Sequence, residues 1–299
     1  MKKEAFDRYK IFLSSDNNYF IHLFVTIYSI IENCSDNSKI AFFIFDGGIS
    51  EKNKERLMKF IKKNKAELKF IKPNRKKYSN AKLWGHVSEA TYYRLEIPLL
   101  EKRKKVLYLD CDLVVEGDIL EIFSENLNKK AIGAVYDYQI KYLQKKRDFN
   151  AGVLLIDCGR WNLLDYSKKV EDYLAIKGTN LTLGDQELLN DVFSKDWNKL
   201  PLNWNRQRTI YDLRGKEMNL SKEEYEELIE KPKIIHYVGK IKPWDYKYVF
   251  PDKKNYVVIR KKIDNGFLYK NKNIMGFLFK LARFFIYRLK IIKLIRMEK

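Results

Sequence analysis

The first hundred residues alternate between short apolar segments and longer helix-like segments, and this alternation constrains the fold most strongly. The strand-like segments are residues 9–15, 39–48, 67–73 and, slightly further on, 105–109. The helix-like segments are residues 20–34, 50–64 and 88–100, with Ser50 at a candidate N-cap position. Strands that alternate with helices predict an α/β fold with a mostly parallel sheet and helices on both faces.

The remainder of the chain continues the pattern less regularly. Strand-like segments are residues 131–137 and 150–157, helix-like segments are residues 161–175 and 185–193, and a short strand runs into a polar loop at residues 232–245. With 299 residues and no internal repeat, the simplest organisation is one α/β domain over residues 1–250 and a basic extension over residues 251–299.

Two aspartates close the apolar strand at residues 105–109. Asp110 and Asp112 stand one residue apart at its carboxyl end, and sheets of this kind bind ligands outside the carboxyl ends of their strands. One interpretation is a turn, since aspartate often closes a strand and Gly117 with Asp118 adds a second turn signal. The other is a divalent cation such as Mg²⁺ or Mn²⁺, bound by the two carboxylates together with substrate phosphates.

The formal net charge of +20 predicts an anionic partner, which is nucleic acid, anionic lipid or a phosphorylated substrate. The alternative is a compositional bias in which the lysines are merely solvated. Nucleic acid is disfavoured because the sequence shows no helix-turn-helix, zinc module or aromatic RNA-binding signature.

Cysteine usage and the N-terminal sequence both bear on the compartment. Cys34, Cys111 and Cys158 are far apart and lack metal-ligand spacing, which suits a reducing environment without disulfides. The first residues, MKKEAFDRYK, contain no apolar signal segment. Both features predict a cytoplasmic protein.

Six sequence clusters stand at predicted strand ends or in the segments that follow them. They are DNNY (16–19), TYYRL around Arg94, DCD (110–112), FNAGVLLID (149–157), GDQELLN (184–190) and HYVGKIKPW (236–244). In order and spacing they resemble the retaining glycosyltransferases of family 8, which include bacterial lipooligosaccharide galactosyl- and glucosyltransferases and the glycogenins. The resemblance runs from about residue 9 to about residue 250 and continues more loosely into the basic tail.

This resemblance implies a nucleotide-sugar-binding fold of the Rossmann-like GT-A type, a UDP-sugar donor and a bound Mn²⁺ ion. Asp110, Asp112 and His236 match the metal ligands of the family. Two carboxylates and one imidazole suit Mn²⁺ better than Mg²⁺, which stays the second candidate. The alternative for His236 is a strand-end histidine whose hydrogen bonds are satisfied within the protein.

The resemblance also implies a site for the donor nucleotide and its phosphates. The matching residues are Ser14, Asp16, Asn18, Tyr19, His86, Cys111, Gly239 and Lys242. Tyr19 would stack on uracil, while Gly239 would let the backbone approach a phosphate and Lys242 would supply a positive charge. The alternatives are an Asx-type turn at residues 16–19, a surface turn at GKIK and an ordinary loop position for His86.

A third set of residues matches contacts to the donor sugar. They are Arg94, Asp110, Asn150, Gly152, Asp185 and Gln186. Glycine at position 152 would leave room for the sugar ring. Two alternatives stay open: Arg94 pairs with Glu96 or extends toward water, and Asp185 caps the helix at residues 185–193.

The identity of these residues also bears on the reaction. Retention by two displacements needs a nucleophile on the opposite face of the sugar, and Gln186, which matches that place, carries an amide. The resemblance therefore favours front-face substitution, in which the acceptor enters and UDP leaves on the same side. Asp185 is the alternative nucleophile.

The C-terminal residues 276–299 combine aromatic and aliphatic residues with Lys and Arg that interrupt every apolar run. Such a segment cannot span a bilayer, and it is typical of an interfacial helix on anionic lipid. The alternative is a terminal helix packed on the body of the protein.

Taken with the resemblance, these features predict a cytoplasmic enzyme peripherally associated with the inner face of the cell membrane. It would transfer galactose or glucose from UDP-galactose or UDP-glucose to a surface glycan, such as lipooligosaccharide or capsule, or to a glycan on protein. The alternatives are an inactive nucleotide-sugar-binding scaffold and a basic nucleic-acid-binding protein.

Overall fold

The computed structural model describes most of the chain, in two compact units that comprise residues 1–236 and 237–299. The described residues are 8–78, 89–102, 104–138, 148–177, 179, 181–182, 184–211, 218, 220–286 and, for the backbone alone, 287–297.

Ten strands form two sheets in the first unit. They are β1 (Tyr9–Ser15), β2 (Ile40–Asp46), β3 (Glu67–Ile71), β4 (Lys105–Leu109), β5 (Leu113–Val115), β6 (Ile132–Tyr136), β7 (Phe149–Asp157), β8 (Trp197–Lys199), β9 (Arg206–Gln207) and β10 (Ile234–His236). The larger sheet has the order β3-β2-β1-β4-β7-β6-β8, and the smaller has the order β5-β10-β9. In the larger sheet only β7 runs antiparallel to its neighbours, so the prediction of a mostly parallel sheet is confirmed.

Nine α-helices lie among the described residues. They are α1 (Phe20–Asn33), α2 (Glu51–Lys63), α3 (Ile97–Leu100), α4 (Cys158–Leu163), α5 (Tyr166–Lys177), α6 (Asp185–Val192), α7 (Lys222–Glu230), α8 (Lys253–Ile263) and α9 (Ile274–Met297). Ser50 occupies the N-cap position of α2, as its sequence predicts.

Helix α1 connects the larger sheet to β5 through polar side chains on its buried face. Thr26 Oγ1 donates to the Leu113 carbonyl at 2.8 Å, and Ser29 Oγ accepts from the Val115 N–H at 2.9 Å. Asn33 adds a 2.8 Å bond to the Val115 carbonyl. Buried polar groups must be hydrogen-bonded, so these contacts fix β5 and with it the segment Asp110–Asp112 just before it.

Two helix predictions need correction. Residues 161–175 do not form one helix. Helix α4 ends at Leu163, and Asp165 adopts a positive φ of 50° before α5 begins. Of the segment predicted as a helix at residues 88–100, Glu89–Glu96 is a 3₁₀ helix and α3 follows it, with Pro98 in the first turn. Proline is tolerated only in the first turn because it lacks an N–H, which explains a new helix start at this point.

The second unit is built around aromatic rings and basic side chains. Lys253 Nζ donates to the Asp245 and Tyr248 carbonyls at 2.8 and 3.1 Å and lies 4.3 Å from the centre of the Tyr269 ring. The backbone near Asp245 also pairs with Lys270. The predicted division into residues 1–250 and 251–299 stays a prediction. Over the part of the chain that the structure covers, no helix has the length and apolarity needed to cross a bilayer.

Candidate active site

The DCD segment lies where the chain passes from one sheet to the other. Strand β4 belongs to the larger sheet and β5 to the smaller, and Asp110–Asp112 connects them. The Asp110 N–H donates to the Gly152 carbonyl at 2.9 Å, which extends the β4–β7 pairing by one residue. His236 ends β10 and pairs with Leu113 in the antiparallel β5–β10 ladder.

This topology brings Asp110, Asp112 and His236 together. One ligand atom from each lies within 4.8 Å of those of the other two. His236 Nε2 is 3.2 Å from Asp112 Oδ1 and 3.9 Å from Asp110 Oδ2. Two carboxylate oxygens and an imidazole nitrogen form a donor set that suits a borderline divalent cation.

Gly152 fits closely against this cluster. A Cβ atom at position 152 would lie 2.2 Å from His236 Cε1 and 2.8 Å from Asp110 Oδ2. Neither distance is sterically allowed, so any side chain there would displace two members of the cluster. The packing of His236 and Asp110 therefore accounts for glycine at this position, and its predicted contact with the donor sugar stays a prediction.

Arg94 is buried beside the cluster and pairs with two carboxylates. Its Nη2 lies 2.8 Å from Asp110 Oδ1 and its Nε lies 3.0 Å from Asp185 Oδ2. Burial works against the charged guanidinium, but Asp110 and Asp185 outweigh it and raise the pKa of Arg94 above its usual value. Glu96 instead accepts from the Asn74 N–H at 3.0 Å, so the proposed Arg94–Glu96 pair is wrong.

Tyr108 supports the same arrangement, and the sequence reasoning missed it. Its hydroxyl donates to Asp110 Oδ1 at 2.9 Å, and its ring centre lies 4.2 Å from Arg94 Cζ. The signal was available, because residues two apart in a strand share one face of the sheet. Arg94 and Tyr108 occupy Oδ1 of Asp110, whereas Oδ2 is the oxygen nearer to His236.

Asp185 and Gln186 begin helix α6. Gly184 occupies the N-cap position with φ 62°, so Asp185 is the first helical residue and its proposed capping role is wrong. Burial raises the pKa of the Asp185 carboxyl; Arg94 opposes this shift, and the negative charge of Asp110 adds to it.

Gln186 is held by hydrogen bonds on both sides of its amide. Its Oε1 accepts from the Ala151 N–H at 3.1 Å, and its Nε2 donates to Asp137 Oδ2 at 3.0 Å. Asn150 Nδ2 lies 3.3 Å from the same Gln186 oxygen. Asp137 directly follows β6, and the sequence reasoning missed it although a carboxylate at a strand end was the signal that had identified Asp110.

The predicted nucleotide residues of the first unit lie at the end of β1 and after β4. Asp16 Oδ1 accepts from the Tyr19 N–H at 2.9 Å, so the Asx-type turn is present. Burial raises the pKa of the Tyr19 hydroxyl above its usual value, and the negative charge of Asp112 adds to the shift. Cys111 Sγ donates to the Ser14 carbonyl at 3.0 Å, and burial raises its thiol pKa well above the usual range.

Four further positions predicted to bind the nucleotide are described differently by the structure. Asn18 is exposed, and His86 lies outside the described residues. In the second unit, Gly239 has φ 90°, a conformation that favours glycine, and Lys242 Nζ donates to the Tyr237 carbonyl at 2.7 Å. Roles for all of these residues in nucleotide binding stay predictions.

The fold and the cluster define a class of protein. A mostly parallel α/β sheet carrying an Asp-x-Asp segment at a strand end is the GT-A fold of nucleotide-sugar enzymes. The solved structure of the galactosyltransferase LgtC in complex with donor and acceptor sugar analogs has this fold and superposes with a TM-score of 0.74. That match has 25% sequence identity and covers 85% of this chain and 96% of LgtC.

The chain belongs to glycosyltransferase family 8, since the model of that family matches residues 10–248. General stress protein A of Bacillus subtilis (strain 168) is 29% identical over 255 residues, which are 81% of this chain and 89% of that protein. Lipopolysaccharide 1,2-glucosyltransferase of Escherichia coli (strain K12) is 27% identical over 256 residues, which are 81% of this chain and 75% of that protein. The resemblance drawn from the sequence is therefore confirmed, and the chain is a retaining glycosyltransferase.

Proposed function

We propose that this glycosyltransferase moves galactose or glucose from a UDP-sugar to a bacterial surface glycan, with Mn²⁺ bound by Asp110, Asp112 and His236. The observation that carries the proposal is the convergence of these three side chains beside the buried Arg94. Support for a glycan acceptor comes from the names of two relatives, a lipopolysaccharide glucosyltransferase and a galactosyltransferase with donor and acceptor sugar analogs.

The residues fit a divalent cation. Gly152 leaves the space that Asp110 Oδ2 and His236 occupy, and Arg94 with Tyr108 keeps the second oxygen of Asp110 turned away. Two oxygens and one nitrogen favour Mn²⁺, with Mg²⁺ the second candidate. When bound, the cation would offset negative charge on the diphosphate of the donor.

The substrate would be positioned by two groups of residues. The proposed contacts to the nucleotide and its phosphates are Ser14, Asp16, Asn18, Tyr19, His86, Cys111, Gly239 and Lys242. The proposed contacts to the sugar are Arg94, Asp110, Asn150, Gly152, Asp185 and Gln186. Because Gln186 is held by Ala151 and Asp137, its amide presents a fixed surface to the sugar.

The reaction that these residues favour is front-face substitution. The acceptor oxygen bonds to the anomeric carbon while the bond from that carbon to UDP breaks, and the acceptor proton passes to the departing phosphate oxygen. The protein supplies positioning and charge stabilisation. Asp185 is the alternative nucleophile, but its Oδ2 lies 3.0 Å from Arg94 Nε, an ion pair that an attack would have to break.

The exposed apolar face of helix α9 supports the proposed peripheral attachment of the protein to the anionic inner face of the cell membrane. Lys280 and Arg283 face the body of the second unit, where Lys280 Nζ lies 4.5 Å from the centre of the Tyr246 ring. Apolar side chains instead face outward: Leu278, Leu281 and Phe285 are 53%, 41% and 56% exposed. A helix with an outward apolar face flanked by basic residues is suited to lie at the surface of anionic lipid.

The test of the proposed function is a screen of UDP-sugars with the full-length protein. We expect release of UDP from UDP-galactose or UDP-glucose in the presence of Mn²⁺, and formation of an α-glycoside when a surface glycan acceptor is added. Binding of a UDP-sugar without turnover of any donor would favour the inactive scaffold. A β-linked product would contradict the retaining mechanism.

A further inference from the structure

Asn205 is a fully buried asparagine beside the proposed cation site. It ends the 3₁₀ helix Leu202–Asn205 and directly precedes β9, which pairs with β10. Its Oδ1 lies 3.1 Å from Nδ1 of His236. Its Nδ2 donates to Asn150 Oδ1 at 3.0 Å. One amide thus joins a proposed metal ligand to a proposed contact of the donor sugar.

A backbone group fixes the orientation of this amide chain. The Gly152 N–H donates to Asn150 at 3.1 Å, and because a backbone N–H can only donate, the Asn150 atom that it meets must be the oxygen. The Asn205 atom beside that oxygen must then be the donor, Nδ2. The other polar atom of Asn205 is its oxygen, so His236 Nδ1 must carry the hydrogen.

The far side of Asn150 gives the same orientation independently. Its Nδ2 lies 3.3 Å from Gln186 Oε1, and that oxygen is identified by the Ala151 N–H, which donates to it at 3.1 Å. Two backbone donors, from Gly152 and Ala151, therefore set the direction of every hydrogen bond between Gln186 and His236.

We propose that Asn205 is a positioning residue that holds His236 as the Nδ1–H tautomer and so keeps the Nε2 lone pair free for the cation. An imidazole binds a metal through an unprotonated nitrogen, and the hydrogen bond at its other nitrogen decides which one that is. His236 Nε2 is the nitrogen that lies 3.2 Å from Asp112. The inference rests on the proposed function of Asp110, Asp112 and His236 as a cation site.

The first experiment reads the tautomer directly in the wild-type chain. The protein contains three histidines, so long-range ¹H–¹⁵N spectra of the ¹⁵N-histidine-labelled protein, recorded without metal, give three assignable imidazoles. We expect His236, identified through a His236→Gln sample, to show a protonated Nδ1 and, at a pH where the imidazole is neutral, an unprotonated Nε2. An Nε2–H tautomer for neutral His236 overturns the inference.

The second experiment separates positioning from folding through two substitutions. Asn205→Leu removes the acceptor at similar size and should weaken Mn²⁺ binding, measured by calorimetry, by about 10–100-fold. It should also redistribute the tautomers of His236. Asn205→Asp keeps an acceptor for Nδ1–H but loses the donor to Asn150. We expect it to hold Mn²⁺ within about threefold of wild type, as in a carboxylate–histidine–metal triad.

Asn190→Leu is the matched control. Asn190 is also buried, and its side chain accepts from the Phe149 N–H and donates to the Phe149 and Gln186 carbonyls. Its substitution should lower the melting temperature but leave the His236 tautomer and Mn²⁺ affinity unchanged. Equal loss of Mn²⁺ affinity in Asn205→Leu and Asn205→Asp overturns the positioning role. A wild-type chain that binds no Mn²⁺ instead refutes the cation site itself, while the tautomer still tests the hydrogen bond.

Discussion

The Arg94 guanidinium and the Asp110 carboxylate form a buried ion pair, with 2.8 Å between Nη2 and Oδ1. Arg94 is 3% exposed, and its Nε also lies 3.0 Å from Asp185. One buried cation thus pairs with two carboxylates. Without Arg94, the buried Asp185 and one oxygen of Asp110 would lose their counter-charge, and a buried charge left without its partner is strongly destabilising.

Arg94→Met should therefore lower both stability and activity. We expect the free energy of unfolding to fall by about 3–5 kcal/mol, the usual cost of removing one partner from a buried ion pair. UDP-sugar turnover should fall by about 100-fold, because Asp110 loses the group that orients it. Urea unfolding and steady-state kinetics measure the two effects.

The control for Arg94 is Arg75→Met. Arg75 Nε lies 3.3 Å from Glu89, but its side chain is largely exposed. Exposed ion pairs contribute about 0–1 kcal/mol, so this variant should unfold and turn over much as wild type does. If both arginine variants lose the same stability, the Arg94 pairs do not carry the role assigned to them.

Metal dependence is tested through Asp112. Asp112→Asn keeps the size of the side chain but removes a negative charge from the cluster, so Mn²⁺-dependent turnover should fall at least about 100-fold. Excess EDTA should abolish wild-type turnover, and added Mn²⁺ should restore it. Asp118→Asn is the matched control. Asp118 is the N-cap of the 3₁₀ helix Ile119–Ser124 and accepts from the Leu120 N–H at 3.1 Å, and asparagine caps equally well. Full activity of the wild type in EDTA would refute the cation site.

Front-face substitution and double displacement through Asp185 both retain the α-configuration, so residual turnover and a covalent adduct distinguish them. If front-face substitution operates, Gln186→Ala keeps measurable turnover and still yields the α-glycoside, since no bond to the side chain forms. Asp185→Asn should also retain the α-product, with lower turnover because its pair with Arg94 is lost. Mass spectrometry of the intact protein during turnover provides the second measurement. A hexose adduct on Asp185 would establish double displacement.

Much of the fold and the cluster could be predicted from the sequence because the signals are local. The apolar strand β4 followed directly by Asp110 and Asp112 indicates a strand-end site from neighbouring residues alone. The break at Asp165 was missed because the apolar pattern continues through it, and only a positive φ reveals it. The alternative pairing for Arg94 named its nearest carboxylate in sequence, Glu96, whereas its carboxylate partners lie 16 and 91 residues away.

Asn205 and Asp137 show what the sequence pattern lacked. Neither residue lies in a motif, and each acquires its role from strand pairing that brings distant segments together. Asn205 meets His236 because β9 pairs with β10, and Asp137 meets Gln186 because β6 ends beside β7. Such register depends on the whole sheet, so single-sequence reasoning could not assign these contacts.

Lys253 should titrate well below an ordinary lysine. Burial and the neighbouring Lys280 lower its pKa from 10.5 to about 8, while Asp245 opposes the shift. Between these two values the unfolded chain binds more protons than the folded chain, so the contribution of Lys253 to stability rises with pH from about 8 to 10.5. Amine acylation followed by peptide mass spectrometry should report the low pKa as early labelling of Lys253.

Substitutions near Lys253 test the cause of that shift. Lys280→Gln removes the repelling charge and should move the labelling midpoint of Lys253 to higher pH, whereas Asp245→Asn should move it lower. Lys272→Gln removes an exposed positive charge from the same unit and serves as the control. An unchanged midpoint in Lys280→Gln would show that the charge of Lys280 does not lower the pKa of Lys253.

Membrane attachment is best tested on the outward face of α9. Deletion from residue 267 is a poor test, because Lys270 exchanges hydrogen bonds of 2.8 and 3.0 Å with Tyr246 and Trp244 in the body of the second unit. Substitutions of Leu278, Leu281 and Phe285 change the exposed face and leave those contacts intact.

The triple variant Leu278→Gln, Leu281→Gln, Phe285→Gln should lose membrane binding while keeping its charge. Each side chain would bury part of its apolar surface at the headgroup boundary, so together they contribute about 3 kcal/mol, or roughly 100-fold in partitioning.

Full-length protein should pellet with vesicles containing phosphatidylglycerol and be partly released by salt, since the basic residues add an electrostatic term. The control variant Leu163→Gln, Ile176→Gln changes two apolar residues of the first unit that are more exposed, at 80% and 78%, and should pellet as wild type does. Soluble UDP-sugar turnover should be the same in all three proteins. Wild-type protein that ignores anionic vesicles at low salt, or a triple variant that pellets fully, would show that α9 does not bind the membrane.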